Sequence, residues 1–406
     1  MSPRHPIIVV TGANSGIGFG ICQRLIVQLS CPFPPNVLPF PSYVGSETSL
    51  PFSPTKHLTL VLACRSAKRA NAARRLLLEF LNKEVARQRA SPGYDGYAEE
   101  FSKGLCIDCL PLDLASMDSV FDFADEACQR YPYITHLILN AGMLNMSGLD
   151  ILTGFKQLIS HPMDFLTTPR YVIQPIGIES SDGLGLVWQC NVFGHYVLFR
   201  LLEPLLIRNP YHDSRIEWLS SLDAIPEDYD PKDPQLRQAK FSYQASKYQI
   251  DLLCAELARI AIPQNNEIRM SHLLVHPGVC HTSMTDSVLN FALTFLKILS
   301  FYVIRLCGSQ NHPTQPYKGA VAPVHVTLAP ITTLNKKCGE LPQKFGSRST
   351  AFGREYVGVD LVPEWDENSK HASDLLIYCD RLFKIYKQAR AGSPSMSPTD
   401  SGIGID

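Results

Sequence analysis

At 406 residues, with 45% hydrophobic and 18% charged residues, the chain can bury a sizeable core and is too apolar for extensive disorder. A formal net charge of −1 and a pI near 6.9 exclude the basic footprint of nucleic-acid binding, so no nucleic-acid partner is expected. Twelve cysteines without the dense spacing of a disulfide scaffold point to a reducing compartment.

Met1 to His5 lacks the cationic and long apolar regions of a secretory signal. It leads into Ile7 to Val10, a β-branched run predicted as a core strand. Thr11-Gly-Ala-Asn-Ser-Gly-Ile-Gly18 follows, a glycine turn opening a helix predicted from Gly16 to about Leu29. Such a turn lets backbone amides approach a pyrophosphate, which makes Gly12, Asn14, Ser15, Gly16, Ile17 and Gly18 candidate cofactor contacts. The spacing is T-G-x-x-x-G-x-G rather than the G-x-G-x-x-G of other dinucleotide folds.

Residues 30–56, rich in Pro and Ser, read as an exposed inserted loop before a strand over His57 to Cys64. That strand ends on Arg65 and Ser66, where an NAD site carries an acidic residue for the ribose hydroxyls. Arg65 suits a 2′-phosphate instead, with Ser66 and Lys68 beside it, while Arg69 reads as a solvated helix residue. The expected cofactor is therefore NADPH/NADP+ rather than NADH.

Further strands are predicted at Leu105 to Leu110, His136 to Leu139, Ile216 to Leu219 and Ile268 to Val275, separated by helix-length segments. The fold class is α/β, a Rossmann-type doubly wound parallel sheet in a single domain over 1–390. It carries insertions at about 30–56 and an irregular one at 145–182, a hydrophobic C-terminal helical extension at about 285–307, and a polar tail over 391–406. Cys106 and Cys109 read as buried strand cysteines, having no second pair or nearby histidine. His272, His276 and His281 lack a supporting carboxylate arrangement, so no metal is expected, and Trp188 and Trp218 read as core residues.

Tyr243 and Lys247 lie four apart at the start of a predicted helix, so both project from one face. A nearby ammonium favours the phenolate and lowers a tyrosine pKa of about 10 toward the range of proton exchange. Alone, Y-x-x-x-K is a common coincidence; its place in the chain gives it weight.

With these motifs in order from Thr11 to about Thr282, the chain resembles the short-chain dehydrogenase/reductase family. Asp113, Asn140-Ala-Gly142, Asn191-Val-Phe-Gly194, Ser220-Ser221 and Pro277-Gly278 complete the match. The resemblance implies a catalytic tetrad of Asn191, Ser221, Tyr243 and Lys247, with Ser221 orienting a carbonyl and Asn191 supporting a proton-relay water. It adds Asp113, Asn140, Val279 and Thr282 to the cofactor contacts and lets Lys247 hold the nicotinamide ribose. Neighbouring residues leaving a strand point to opposite sides, so Ser220 rivals Ser221, which is favoured. Two departures stand out: Leu139 replaces a usual Asn, and 22 positions separate Ser221 from Tyr243 where many members use about a dozen.

Segments Ile216–Leu222, Phe241–Lys247, His276–Thr282, Gln315–Gly319 and Ser349–Tyr356 narrow the resemblance to the 3-keto-steroid reductases of fungal sterol synthesis and the related mammalian type-seven 17-beta-hydroxysteroid dehydrogenases. What this implies is NADPH-dependent reduction of the carbon-3 ketone of 4-methyl sterol intermediates to a 3β-hydroxyl. The sterol is the expected partner, with the enzymes of sterol carbon-4 demethylation as candidate protein partners. Val288 to Cys307 is strongly apolar but would place Lys297 near a bilayer centre, so an interfacial helix or substrate lid is expected over a spanning one. The resemblance implies a peripheral position on the cytosolic face of the endoplasmic reticulum membrane, with lipid droplets as a second compartment. Two other readings compete: reduction of another lipid carbonyl, such as a retinal or a 17-keto steroid, and a non-catalytic NADP-binding scaffold.

Overall fold

The computed structural model describes residues 5–37, 55–161, 164–211, 213–261, 270–282, 291–335 and 342–392. Most of the 30–56 insertion, the start of the 285–307 segment and nearly all of the tail lie outside the described residues. The described strands are β1 (Ile7–Thr11), β2 (Leu58–Cys64), β3 (Leu105–Pro111), β4 (His136–Leu139), β5 (Gly148–Leu149), β6 (Val172–Ile173), β7 (Ser214–Leu219), β8 (Met270–His276), β9 (Gln343–Ser349) and β10 (Glu355–Leu361).

Eight of them form one sheet in the order β10-β9-β8-β7-β4-β1-β2-β3. All its pairings are parallel except β9 with β10. From β1 the chain crosses to β2 on one side and later returns to β4 on the other, which opens a crevice at the carboxyl end of β1. β1 and β2 are buried along their whole length, as apolar runs covered on both faces must be. Alternate β1 residues face opposite cores: Ile7 and Val9 pack with helices Met117–Arg130, Gly194–Ile207, Ser242–Ile260 and Trp365–Arg390. Ile8 and Val10 pack with helices Gly16–Leu29, Ala67–Arg89 and Val321–Leu328.

The expected strands and first helix therefore stand, with β9 and β10 added at the far edge. Two other expectations change. Cys106 and Cys109 lie on β3 as read, but Cys106 is exposed and Cys109 half-buried, because β3 is the edge of the sheet. The 145–182 insertion is not irregular: it holds an antiparallel β5–β6 hairpin and a helix, Ile151–Ser160, started by Asp150, whose carboxylate accepts from the Thr153 amide at 3.1 Å.

Trp188 and Trp218 are core residues, Trp188 stacked on Phe193 and Trp218 donating from its indole to His272 Nδ1 at 3.1 Å. His276 faces Asp360 of β10 at 2.9 Å, so β8's histidines are spent within the sheet. Among the described residues no group of His, Cys, Asp and Glu is placed to hold a metal ion.

Candidate active site

A cleft of about 540 Å³ opens at the carboxyl ends of the strands. Its floor is the turn after β1, where Gly12 adopts φ +66, a left-handed conformation that favours glycine. A Cβ on Gly18 would lie 2.5 Å from the Gly12 carbonyl oxygen, so only glycine lets the helix approach the turn this closely. Gly18 itself does not line the cleft; Gly12, Asn14, Ser15, Gly16 and Ile17 do. Ser15, at the N-cap of helix Gly16–Leu29, makes no side-chain cap bond, which leaves that helix's first amides for an anion. A close-approach turn facing uncapped amides fits a dinucleotide pyrophosphate.

Where β2 ends, Arg65 lines the cleft. Two of its neighbours lie outside that lining. Ser66 is the N-cap of helix Ala67–Arg89, accepting from the Arg69 amide at 3.4 Å, and neither Ser66 nor Lys68 lines the cleft. Arg69 does. It lies in the first turn of helix Ala67–Arg89, just past Arg65, which precedes that helix's N-cap. Asp113, Asn140, Val279 and Thr282 also line the cleft. Asn140 ties β4 to β1, its Nδ2 donating to the Thr11 carbonyl at 2.8 Å. Leu139, the departure from the family pattern, is a buried core residue ending β4.

Tyr243 and Lys247 project from the first turns of helix Ser242–Ile260 into the far wall. The Lys247 ammonium lies 5.8 Å from the Tyr243 ring centroid. Ser221 lines the same wall as Tyr243, and its hydroxyl is near enough to lower the phenol's pKa. The Ser220 hydroxyl turns the other way and donates to the Lys247 carbonyl at 3.3 Å. It is thus Ser221 that the strand's alternation sends toward the tyrosine. The long loop between them does not displace it. The loop is tied to the 145–182 insertion by Arg170 and Asp228 at 2.6 Å, and to helix Ser242–Ile260 by the Gln249 amide, 2.9 Å from the Pro234 carbonyl.

The insertion reaches further than its sequence suggests. Gln174 Oε1 accepts from the Tyr243 amide at 2.9 Å and from the Ser242 hydroxyl at 3.1 Å, capping the helix that carries the tyrosine. Thr167 and Pro169 of the same insertion line the cleft mouth.

Asn191 is buried in a π-helical turn, Gln189–Phe193, and its side chain does not line the cleft. Its Oδ1 accepts from the Met143 amide at 2.8 Å, and its Nδ2 donates to the Met143 carbonyl and the Ser246 hydroxyl. The side chain therefore pins the loop after β4 to the helix of Tyr243. Its carbonyl faces His195 Nδ1 at 3.1 Å, while His195 Nε2 meets the Thr11 hydroxyl at 3.0 Å. Burial pushes His195 down to about 3, so the ring is neutral. A carbonyl only accepts, which places the proton on Nδ1.

The electrostatics differ from expectation at the tyrosine. Burial pushes Tyr243 above its ordinary value, the Asp223 carboxylate adds to this, and the Ser221 hydroxyl opposes them. Lys247 is instead tied to the Leu219 carbonyl at 2.8 Å, and burial pulls its ammonium down to about 8 against the opposing pull of Asp251. Asp223, which sequence reasoning passed over, lines the cleft and is pushed up to about 7 by burial. The site thus joins a protonated phenol, the Ser221 hydroxyl and a buried ammonium along one cleft that the glycine turn also lines. Such a set can hand a proton to an oxygen that is gaining charge.

No family model matches the chain. The 3-keto-steroid reductase of Kluyveromyces lactis is 30% identical over 380 residues, covering 93% of this chain and 96% of that protein. The Schizosaccharomyces pombe 3-keto-steroid reductase is 30% identical over 386 residues, 94% of this chain and 97% of its own. The Saccharomyces cerevisiae 3-keto-steroid reductase is 28% identical over 380 residues, 90% and 96%. Among solved structures, L-sorbose reductase from Gluconobacter frateurii, complexed with NADPH and L-sorbose, superimposes with a TM-score of 0.45 at 16% identity over 80% of this chain and 89% of that one.

Proposed function

The chain belongs to the 3-keto-steroid reductase family, and on that premise we propose that it reduces the carbon-3 ketone of 4-methyl sterol intermediates to the 3β-hydroxyl with NADPH, in sterol biosynthesis. The observation that carries this reading is that Ser221, Tyr243 and Lys247 line one wall of the cleft whose floor is the glycine turn.

NADPH, when bound, supplies the hydride that goes to the carbonyl carbon. Tyr243, held protonated by burial, donates its phenolic proton to the carbonyl oxygen. Ser221 hydrogen-bonds that oxygen as charge grows on it, and the Lys247 ammonium stabilises the phenolate left behind. Asn191 and Gln174 hold the geometry from behind, one on the loop after β4 and one on the amide of Tyr243. Arg65 and Arg69 receive the 2′-phosphate.

The direct test is NADPH oxidation by the purified protein in mild detergent with a 4-methyl-3-keto sterol, beside retinal and a 17-keto steroid. Selective formation of the 3β-hydroxysterol supports the reading; preferred turnover of a competitor replaces the substrate, and no turnover with NADPH binding intact points to the scaffold.

We place the protein peripherally on the cytosolic face of the endoplasmic reticulum membrane, and on lipid droplets, beside the enzymes of carbon-4 demethylation. In the described part of the 285–307 segment, helix Phe291–Leu306 has 16 residues, where about 20 span a bilayer. Its outward stripe is nonetheless apolar, with Leu296, Leu299, Val303 and Leu306 exposed at helical spacing. Helix Ile151–Ser160 repeats the pattern with Ile151, Leu152, Phe155, Leu158 and Ile159. Two such stripes suit a helix lying in the bilayer interface, where apolar faces leave water. The apolar helix Leu186–Ile207 is long enough to span but is 72% buried in the protein, as a core helix is. Replacing Leu296, Leu299 and Val303 together by Gln should lower the fraction that floats with phospholipid vesicles about tenfold, with the melting profile unchanged. Equal flotation of the variant would remove this helix from the membrane surface.

A further inference from the structure

Behind Ser221 lies a second buried lysine that the chemistry above does not use. Lys344 sits on β9, paired in register with Leu274 of β8, and is 5% exposed. Its ammonium donates to the Ser221 carbonyl and to Asp251 Oδ2, each at 2.7 Å. Asp251 is fully buried one turn beyond Lys247 on helix Ser242–Ile260. One ion pair therefore joins the added edge of the sheet, the serine facing Tyr243, and the helix that carries Tyr243 and Lys247.

A buried ion pair is a weak source of stability, since well-packed apolar residues of equal volume hold two elements together as well or better. Apolar residues would not grip the Ser221 carbonyl, nor set a carboxylate near Lys247. The titratable and charged groups around Lys247 are few. Tyr243 and Asp251 lie on its own helix, and Lys344 comes from β9. The neutral His195 comes from helix Gly194–Ile207, and Asp223 acts on Tyr243 from the loop after β7. Asp251 favours the ammonium form of Lys247, and Lys344 opposes it.

We propose that Lys344 and Asp251 are positioning residues of the active site: Lys344 fixes Ser221 through its carbonyl, and Asp251 supplies the counter-charge of Lys247. The proposal rests on the reductase reading, so its test carries one readout that needs no turnover.

The full-length protein is compared with Asp251→Asn, Lys344→Met and the apolar double variant Lys344→Met/Asp251→Leu. Each is measured for kcat and KM across pH with the 3-keto sterol. The ionisation of Lys247 is followed separately by NMR titration of each protein carrying 15N-labelled lysine side chains, against its Lys247→Met counterpart. Lys247, held at about 8, sets the alkaline limb of kcat/KM, because activity falls as its charge is lost with rising pH. Asp251→Asn should move that limb down by about one pH unit, and Lys344→Met should move it up by a similar amount. The NMR midpoint of Lys247 needs no turnover, and it should change in both variants, in opposite directions.

Lys344→Met should also lower kcat about tenfold with KM for NADPH unchanged, through the loosened Ser221. In the double variant, which keeps the volume and so the fold, the limb should return near its original place while the kcat loss remains. Limbs and Lys247 titrations that coincide in all the variants, or that move in the same direction, overturn the proposal. Opposite Lys247 shifts in a protein that reduces no 3-keto sterol would uphold the pair's role and remove the reductase reading instead.

Discussion

Tyr243→Phe is expected to lower kcat for ketone reduction by about 10²–10⁴-fold while NADPH binding stays within about twofold. Phenylalanine keeps the ring that packs 5.8 Å from the Lys247 ammonium and removes only the hydroxyl on the Ser221 side of the cleft. The loss should fall on kcat, because proton donation matters once charge develops on the carbonyl oxygen and contributes little to holding the ground state. Fluorescence titration with NADPH and stopped-flow turnover separate the two quantities. Retained turnover would exclude the phenol as proton donor and turn attention to Asp223, an acid of the cleft that burial holds near 7 and therefore partly protonated at neutral pH.

This prediction draws on residues that local sequence exposes well. The glycine turn, the strand ends and the Tyr243–Lys247 pair are short-range patterns, each fixed by chemistry that permits few alternatives. Gly18 allows no Cβ, and a spacing of four puts two side chains on one helix face. What stayed hidden is long-range. β9, with the sequence Gln-Lys-Phe-Gly-Ser-Arg-Ser, shows no apolar run, yet it is largely buried because its polar groups find distant partners, Lys344 in Asp251 and Arg348 in Asp360. No local pattern announces a strand whose polarity is satisfied 93 residues away.

Gln174 is hidden in the same way, as a polar residue in an insertion whose partner is the amide of Tyr243. The Ser220–Ser221 ambiguity was likewise beyond sequence, since either serine could face the cleft until the direction of the strand end was known. The tyrosine's acidity was misjudged because a nearby ammonium is legible in Y-x-x-x-K, whereas burial and Asp223 are not.

The cofactor preference gives the second large effect. Arg65→Ala with Arg69→Ala should weaken NADPH binding roughly one hundredfold and leave NADH binding almost unchanged, inverting or erasing the preference. Both guanidinium groups border the groove where β2 ends. The only chemical difference between the two cofactors is the 2′-phosphate, so a contact specific to it must appear as a change in one affinity and not the other. Because the arginines are exposed, the attraction is screened by salt, and the wild-type preference should shrink as ionic strength rises. The single variants divide the effect. Arg69→Ala alone should cost a substantial share if both residues reach one phosphate, whereas Lys68→Ala, outside the cleft, should cost little. Equal losses for NADPH and NADH in the double variant would show that the arginines hold the shared part of the dinucleotide, and the 2′-phosphate would then have to be recognised elsewhere in the cleft.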